Sequence, residues 1–148
     1  MPRATSVIHS HDPAADSVTL SYDDRFRRRM AMTTDGGEDF LLDLPETVEL
    51  RQGDHLVLDD GRHIEIRAAA EALMKTTSPD PHHLTRTAWH VGNRHLPCEV
   101  HADHLILRYD HVIEQMLQQL GCTVARVEGP FNPEGGAYGH GRTHGHSH

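Results

Sequence analysis

From Val18 to Ile66 the apolar residues recur at every second position, in runs that turn signals cut short. Val18, Leu20 and Tyr22 alternate, as do Met30 and Met32, then Phe40, Leu42 and Leu44 up to Pro45. Val48 and Leu50, Leu56 and Leu58, and Ile64 and Ile66 follow. A period of two lays one row of side chains on one face of a strand, and a helix cannot satisfy it. Gly36-Gly37, Gly53-Asp54 and Asp59-Asp60-Gly61 supply the reversals. The pattern predicts a small all-β domain over residues 1–67. Residues 1 to about 16, which include His9 and His11, read as a polar, irregular lead-in.

After Arg67 the pattern changes. Ala68 to Met74 favours helix by composition, yet it follows a hairpin and can continue as a strand. Ser78-Pro79-Asp80-Pro81 breaks the chain, with Asp80 able to cap a helix and Pro81 to fill its first position. Leu84, Ala88 and Val91 form one helical stripe, which Gly92-Asn93 ends. Cys98, Val100 and Ala102, then Leu105 and Leu107, read as two strands joined near Asp103. Asp110 caps a second helix with Ile113, Met116, Leu117 and Leu120 inside and Gly121 as its stop. Val124 and Val127 fall in a last short strand. With 68–76 as a strand, the order is βαββαβ, a ferredoxin-like domain over residues 68–133. The whole chain is then α+β, and residues 134–148 are a disordered, His-rich tail.

The 148 residues include 22 Asp plus Glu, 14 Lys plus Arg and 15 His, a net charge of −8 with histidine neutral. An acidic chain is disfavoured as a nucleic-acid binder. Protonating every histidine would reverse the sign, so the charge is pH-sensitive where imidazole titrates. No apolar run approaches the ~20 residues of a membrane helix. Met1-Pro2-Arg3-Ala4-Thr5-Ser6 lacks an apolar signal region, which makes cytoplasm the expectation. Two cysteines make neither a disulfide framework nor a Cys-rich zinc site, so any metal must rest mainly on nitrogen.

His140, His144, His146 and His148 are spaced by small and polar residues, which lets several imidazoles turn toward one ion. Each must be deprotonated to bind, so affinity falls with pH. An idle polar terminus is the plainer reading. His95 follows a helix end and precedes Leu96-Pro97, which places it on an exposed corner. His111 opens the second helix, where the dipole disfavours imidazolium and keeps nitrogen available for a cation. One or two histidines make an incomplete shell, which a two-fold axis would complete. For a lone histidine a solvated surface is the commoner meaning. His55, His63, His82, His83, His90, His101 and His104 read mostly as exposed residues. Cys98 can join a soft-metal site or simply face inward, and Cys122 reads as core. Arg25, Arg27, Arg28 and Arg29 read as a solvated basic face. No phosphate-binding loop, nucleophile elbow or zinc helix is present, so no enzyme is indicated.

Several strings together carry a resemblance. They are Asp24-Arg25-Phe26-Arg27-Arg28-Arg29, Phe40-Leu41-Leu42-Asp43-Leu44-Pro45, Gly92-Asn93-Arg94-His95-Leu96-Pro97 and Pro133-Glu134-Gly135-Gly136-Ala137-Tyr138, followed by a His-rich end. The chain resembles the UreE family of urease accessory proteins, nickel metallochaperones, over nearly its whole length. The resemblance implies a β-rich domain joined to a ferredoxin-like one, in a cytoplasmic homodimer. It places the central metal ligand on His95, given by both protomers, and a further ligand in some members on His111. Where some relatives carry another histidine, this chain has Tyr109. The implied cargo is Ni²⁺, with Zn²⁺ or Cu²⁺ as competitors. The implied recipients are the urease-maturation GTPase and the urease apoprotein with its accessory complex. A generic buffer or store for zinc, copper or cobalt is the main rival. An RNA-binding module and a metal-dependent enzyme fit the residues less well.

Overall fold

The computed structural model describes residues 1–135, so the tail residues His140, His144, His146 and His148 lie outside the described residues. Among the described residues the chain divides into two compact units, 1–69 and 70–135.

The first unit is a six-stranded sheet. Its strands are β1 (Arg3–His9), β2 (Asp16–Leu20), β3 (Phe26–Thr33), β4 (Asp39–Glu49), β5 (Asp54–Leu58) and β6 (His63–Ala68), in the order β2-β6-β5-β1-β4-β3. The alternating residues fill one core, with Phe40, Leu42, Leu50, Leu56, Ile64 and Ile66 fully buried. The lead-in is not irregular. Residues 3–9 form β1, which pairs with β4 on one side and β5 on the other. Its inward apolar residues are few (Ala4, Val7), so it carries little period-two signal, and its place is set by backbone pairing. Nor does Pro45 end a strand. β4 runs through it because the β3–β4 register slips: Arg27 pairs with Val48 but Arg29 with Asp43. The slip leaves Pro45 exposed in a bulge, where a missing N–H breaks no ladder bond.

Two surface expectations are corrected. Arg25 is 1% exposed: its guanidinium donates to Leu20 O at 3.0 Å and lies 5.9 Å from the Tyr22 ring centre. The single 3-10 turn Asp23–Arg25 swings it inward, while Arg27, Arg28 and Arg29 stay exposed. His55 is buried too, its Nδ1 3.2 Å from Nδ1 of His63.

The second unit runs β7 (Ala70–Thr77), α1 (Pro81–Asn93), β8 (Glu99–Val100), β9 (Leu105–Arg108), α2 (His111–Gln119) and β10 (Thr123–Pro130). The antiparallel sheet has the order β10-β7-β9-β8, the ferredoxin-like βαββαβ arrangement. The ambiguous Ala68–Met74 stretch is thus not helix: Ala68 ends β6, and Ala70–Met74 opens β7. β7 sits between β10 and β9, and two ladders of backbone bonds outweigh the helix propensity of its residues. Leu84 and Val91 of α1 and Leu117 of α2 pack on Met74, Leu105 and Leu107. Both caps form as predicted. The Asp80 carboxylate accepts from His83 N–H, and Asp110 accepts from Val112 and Ile113 N–H.

Beyond β10 the chain leaves one edge of the sheet and reaches the other. Phe131 is fully buried, Asn132 N–H donates to Glu99 Oε2 at 2.8 Å, and Glu134 N–H donates to Cys98 O at 2.9 Å. The root of the tail is therefore fastened beside β8.

Candidate metal centre

The end of α1 is built differently from its sequence expectation. Gly92 does not stop the helix; α1 continues through Asn93, and Arg94 is its C-cap. His95 then adopts φ 58°, alone among the described non-glycine residues in having a positive φ. His95 N–H donates to Gly92 O at 3.0 Å, and Leu96 N–H to Val91 O at 3.3 Å. That pair of bonds is the Schellman motif, with His95 where glycine usually stands. Leu96 packs into the core that holds Val91, which secures the turn, and Pro97 prevents any return to helix. A left-handed L-residue costs roughly 1–2 kcal/mol. The result is an exposed imidazole on a backbone pinned from both sides.

His111 is exposed at the first position of α2, directly after the Asp110 cap. Its Nε2 lies 3.2 Å from Nε2 of Gln115, so the amide donates to the imidazole lone pair. A metal at that nitrogen must first displace Gln115. The residues following His95 and those preceding His111 share one cleft of about 250 Å³, lined by Leu96, Pro97, Tyr109, Asp110 and Ile113 among others. The fold thus brings the two segments together. Among the described residues, however, no three His, Cys, Asp or Glu side chains converge on one ion.

Tyr109 and Cys98 are occupied otherwise. The Tyr109 hydroxyl accepts from Arg126 Nη2 at 2.7 Å, and the same guanidinium lies 4.3 Å from its ring centre. Cys98 is half-buried, and desolvation with the neighbouring Glu99 charge pushes its thiol up to about 12. A thiol that holds its proton is a poor metal ligand. His83, at the start of α1, serves the fold: its Nε2–H donates to Leu120 O, the carbonyl at the end of α2, at 2.6 Å.

Besides His55 and His63, a second pair of histidines escaped the sequence reading. His101 and His104, taken there as separate exposed residues, stack with ring centres 4.3 Å apart and planes within 8°. The signal was available in outline: two histidines flank a two-residue turn and so face each other across the hairpin.

Comparison with known proteins matches residues 2–69 to the family model described as UreE urease accessory protein, N-terminal domain, and residues 71–148 to the C-terminal domain of the same family. A urease accessory protein UreE of Bradyrhizobium sp. (strain ORS 278) is 57% identical over 141 residues, covering 93% of this chain and 67% of the relative. One from Ruegeria pomeroyi is 56% identical over 135 residues, covering 91% and 89%.

Proposed function

We propose a function for a chain that belongs to the UreE family of urease accessory proteins: it is a nickel metallochaperone, which binds Ni²⁺ and donates it during urease metallocentre assembly. The observation that carries this reading is the corner at His95. An exposed imidazole stands where glycine would be cheaper, on a backbone that packing and two hydrogen bonds hold fixed. Strain kept at a surface position, against local preference, is characteristic of a functional residue.

Ni²⁺ is the cargo. Imidazole nitrogen suits it, and the reading needs no hydrolytic or redox step. His95 from each protomer of a homodimer anchors the ion across a two-fold axis, since one chain supplies too few ligands. Trp89, 64% exposed on α1 six residues before His95, is apolar surface that a second copy would cover. His111 is an auxiliary ligand once Gln115 releases it. His140, His144, His146 and His148 collect ions and pass them inward. The tail root favours this role, because Glu134 is bonded to Cys98, three residues from His95. Three residues span at most about 11 Å. Incomplete coordination suits delivery, because ligands exchange one at a time toward the next acceptor. That acceptor is the urease-maturation GTPase and, through it, the urease apoprotein with its accessory complex, in the cytoplasm. No described helix is long and apolar enough to cross a membrane.

The test pairs binding with delivery. Nickel titrations of the full chain, a 1–139 truncation and that truncation carrying His95→Ala are run with zinc as competitor, beside urease activation in limiting nickel. The truncation should keep one tight ion per dimer, and His95→Ala should remove it. If the double variant binds nickel as its parent does, the corner is not the site. If the full chain binds nickel but does not promote activation, the protein is a buffer.

A further inference from the structure

Both helices of the second unit carry exposed apolar side chains: Trp89 on α1 is 64% exposed and Val112 on α2 is 67% exposed. His82, Arg86, Trp89 and Asn93 lie at i, i+4, i+7 and i+11, so they share the face of α1 opposite the buried Leu84 and Val91. That face carries one sign of charge. From Pro81 to Pro97 there is no Asp or Glu, in a chain that holds 22 of them. Arg86 and Arg94 are exposed there, and Arg94 donates to a carbonyl, that of His90, at 3.3 Å. Two such faces set against each other would oppose arginine to arginine with no acid between them.

The cleft between the His95 corner and the start of α2 offers the complement. Leu96, Pro97, Leu107 and Ile113 give it apolar walls. An apolar cavity of about 150 Å³ holds a benzene ring, so the cleft, at about 250 Å³, admits an indole. It falls below the roughly 300–1,000 Å³ of small-molecule pockets. Its lining includes Asp110, which is exposed, while the guanidinium of Arg108 lies over Phe131, 6.0 Å from the ring centre. The basic face of α1 therefore matches the cleft in charge and Trp89 matches it in size. Trp89 precedes His95 by six residues, about 9 Å along a helix, and the cleft wall begins at the next residue, Leu96. A two-fold axis that brings His95 to its own copy thus brings each Trp89 within reach of the opposite cleft.

We propose that two copies of the chain lock together by reciprocal insertion of Trp89 into the cleft of the opposite protomer. The inserted indole rests on Leu96, the residue whose core packing and bond to Val91 O hold the left-handed turn at His95. Dimerisation and the geometry of the His95 corner are coupled through that contact. The inference rests on the two-fold anchor at His95 given above, and it adds the side chain that sets the dimer and the place it occupies.

Trp89 is the one tryptophan of the chain, so its fluorescence reads its surroundings directly. The full, metal-free chain is followed by sedimentation over a dilution series, with emission and acrylamide quenching recorded at each concentration. In the dimer the emission should shift to shorter wavelength and resist the quencher. Trp89→Ala should weaken dimerisation at least about 30-fold, the size of an interface hot spot. Ile113→Phe, which fills the cleft, should weaken dimerisation and leave Trp89 open to the quencher. Circular dichroism checks that both variants fold. An indole that is as quenchable in the dimer as in the monomer overturns the inference, and so does one that Ile113→Phe leaves shielded. The delivery reading survives either result if one tight nickel ion per dimer is still lost in His95→Ala. A chain that stays monomeric with and without nickel overturns both.

Discussion

The two helices of the second unit end in the same way with different residues. At the end of α2, Gly121 has φ 97°; its N–H donates to Gln118 O and that of Cys122 to Leu117 O, both at 3.0 Å. At the end of α1 the same two bonds are made by His95 and Leu96. Glycine meets no Cβ penalty in that conformation. A Cβ at position 121 would also stand 3.2 Å from His83 Nε2, the ring that caps α2. The α2 terminus is therefore optimised for the fold. The α1 terminus keeps a residue that local energetics disfavours, and the difference marks the position where stability has yielded to another requirement.

Substitutions can break that comparison. The largest effect is expected from His95→Gly, which should weaken the nickel site proposed there more than the roughly 100-fold upper range of outer-shell changes. Calorimetric titration reads it directly. Gly121→Val should destabilise by about 2 kcal/mol or more, since a β-branched residue at positive φ also displaces His83. Chemical denaturation measures this, and nickel affinity at His95 should not move. The stability effect of His95→Gly is smaller and opposite in sign, a gain of about 1 kcal/mol. His95→Ala should lack that gain because alanine retains the Cβ. If His95→Gly lowers stability, the corner is not strained and the contrast between the helix ends fails.

The smallest effect sharpens the comparison from the first unit. Gly61, φ 89°, is one of three glycines of the first unit with positive φ, and it stands in the β5–β6 turn. Next to it, Arg62 bonds both oxygens of Glu38, at 2.7 and 2.9 Å, and Asp60 at 2.9 Å. These bonds hold the carboxyls of Glu38 and Asp60 below their ordinary values. A lowered folded-state pKa stabilises above the unfolded value, near pH 4, and that contribution is lost as pH falls through the folded value. Because the groups are exposed, Arg62→Gln should only slightly flatten the acid limb of a stability–pH curve below about pH 4. Nickel binding should be unaffected.

Much of this was legible along the chain. Period-two alternation located most strands of the first sheet, and Asp80, Asp110 and Gly121 marked three of the four helix ends. The stripes of α1 and α2 named their buried residues, and the string around His95 carried the family resemblance. Those signals are local: a cap, a turn or a periodic face depends on residues a few positions apart. What escaped depends on partners far away in sequence. β1 has little apolar signal and is a central strand because β4 and β5 flank it. Ala70–Met74 is strand because of β9 and β10. Arg25 and His55 are buried by neighbours that composition does not reveal.

The sequence by itself determined the two-part α+β plan, the abundance of imidazole and the exposure of His95. Only the tertiary structure decided that His95 is held left-handed by the core contact of Leu96, that Glu134 returns to Cys98, and that His101 and His104 stack. The physical reason is that none of them follows from one residue's own preference: Leu96 must find the core, Glu134 must meet Cys98 across 36 positions, and the β8–β9 hairpin must close before its two rings can meet.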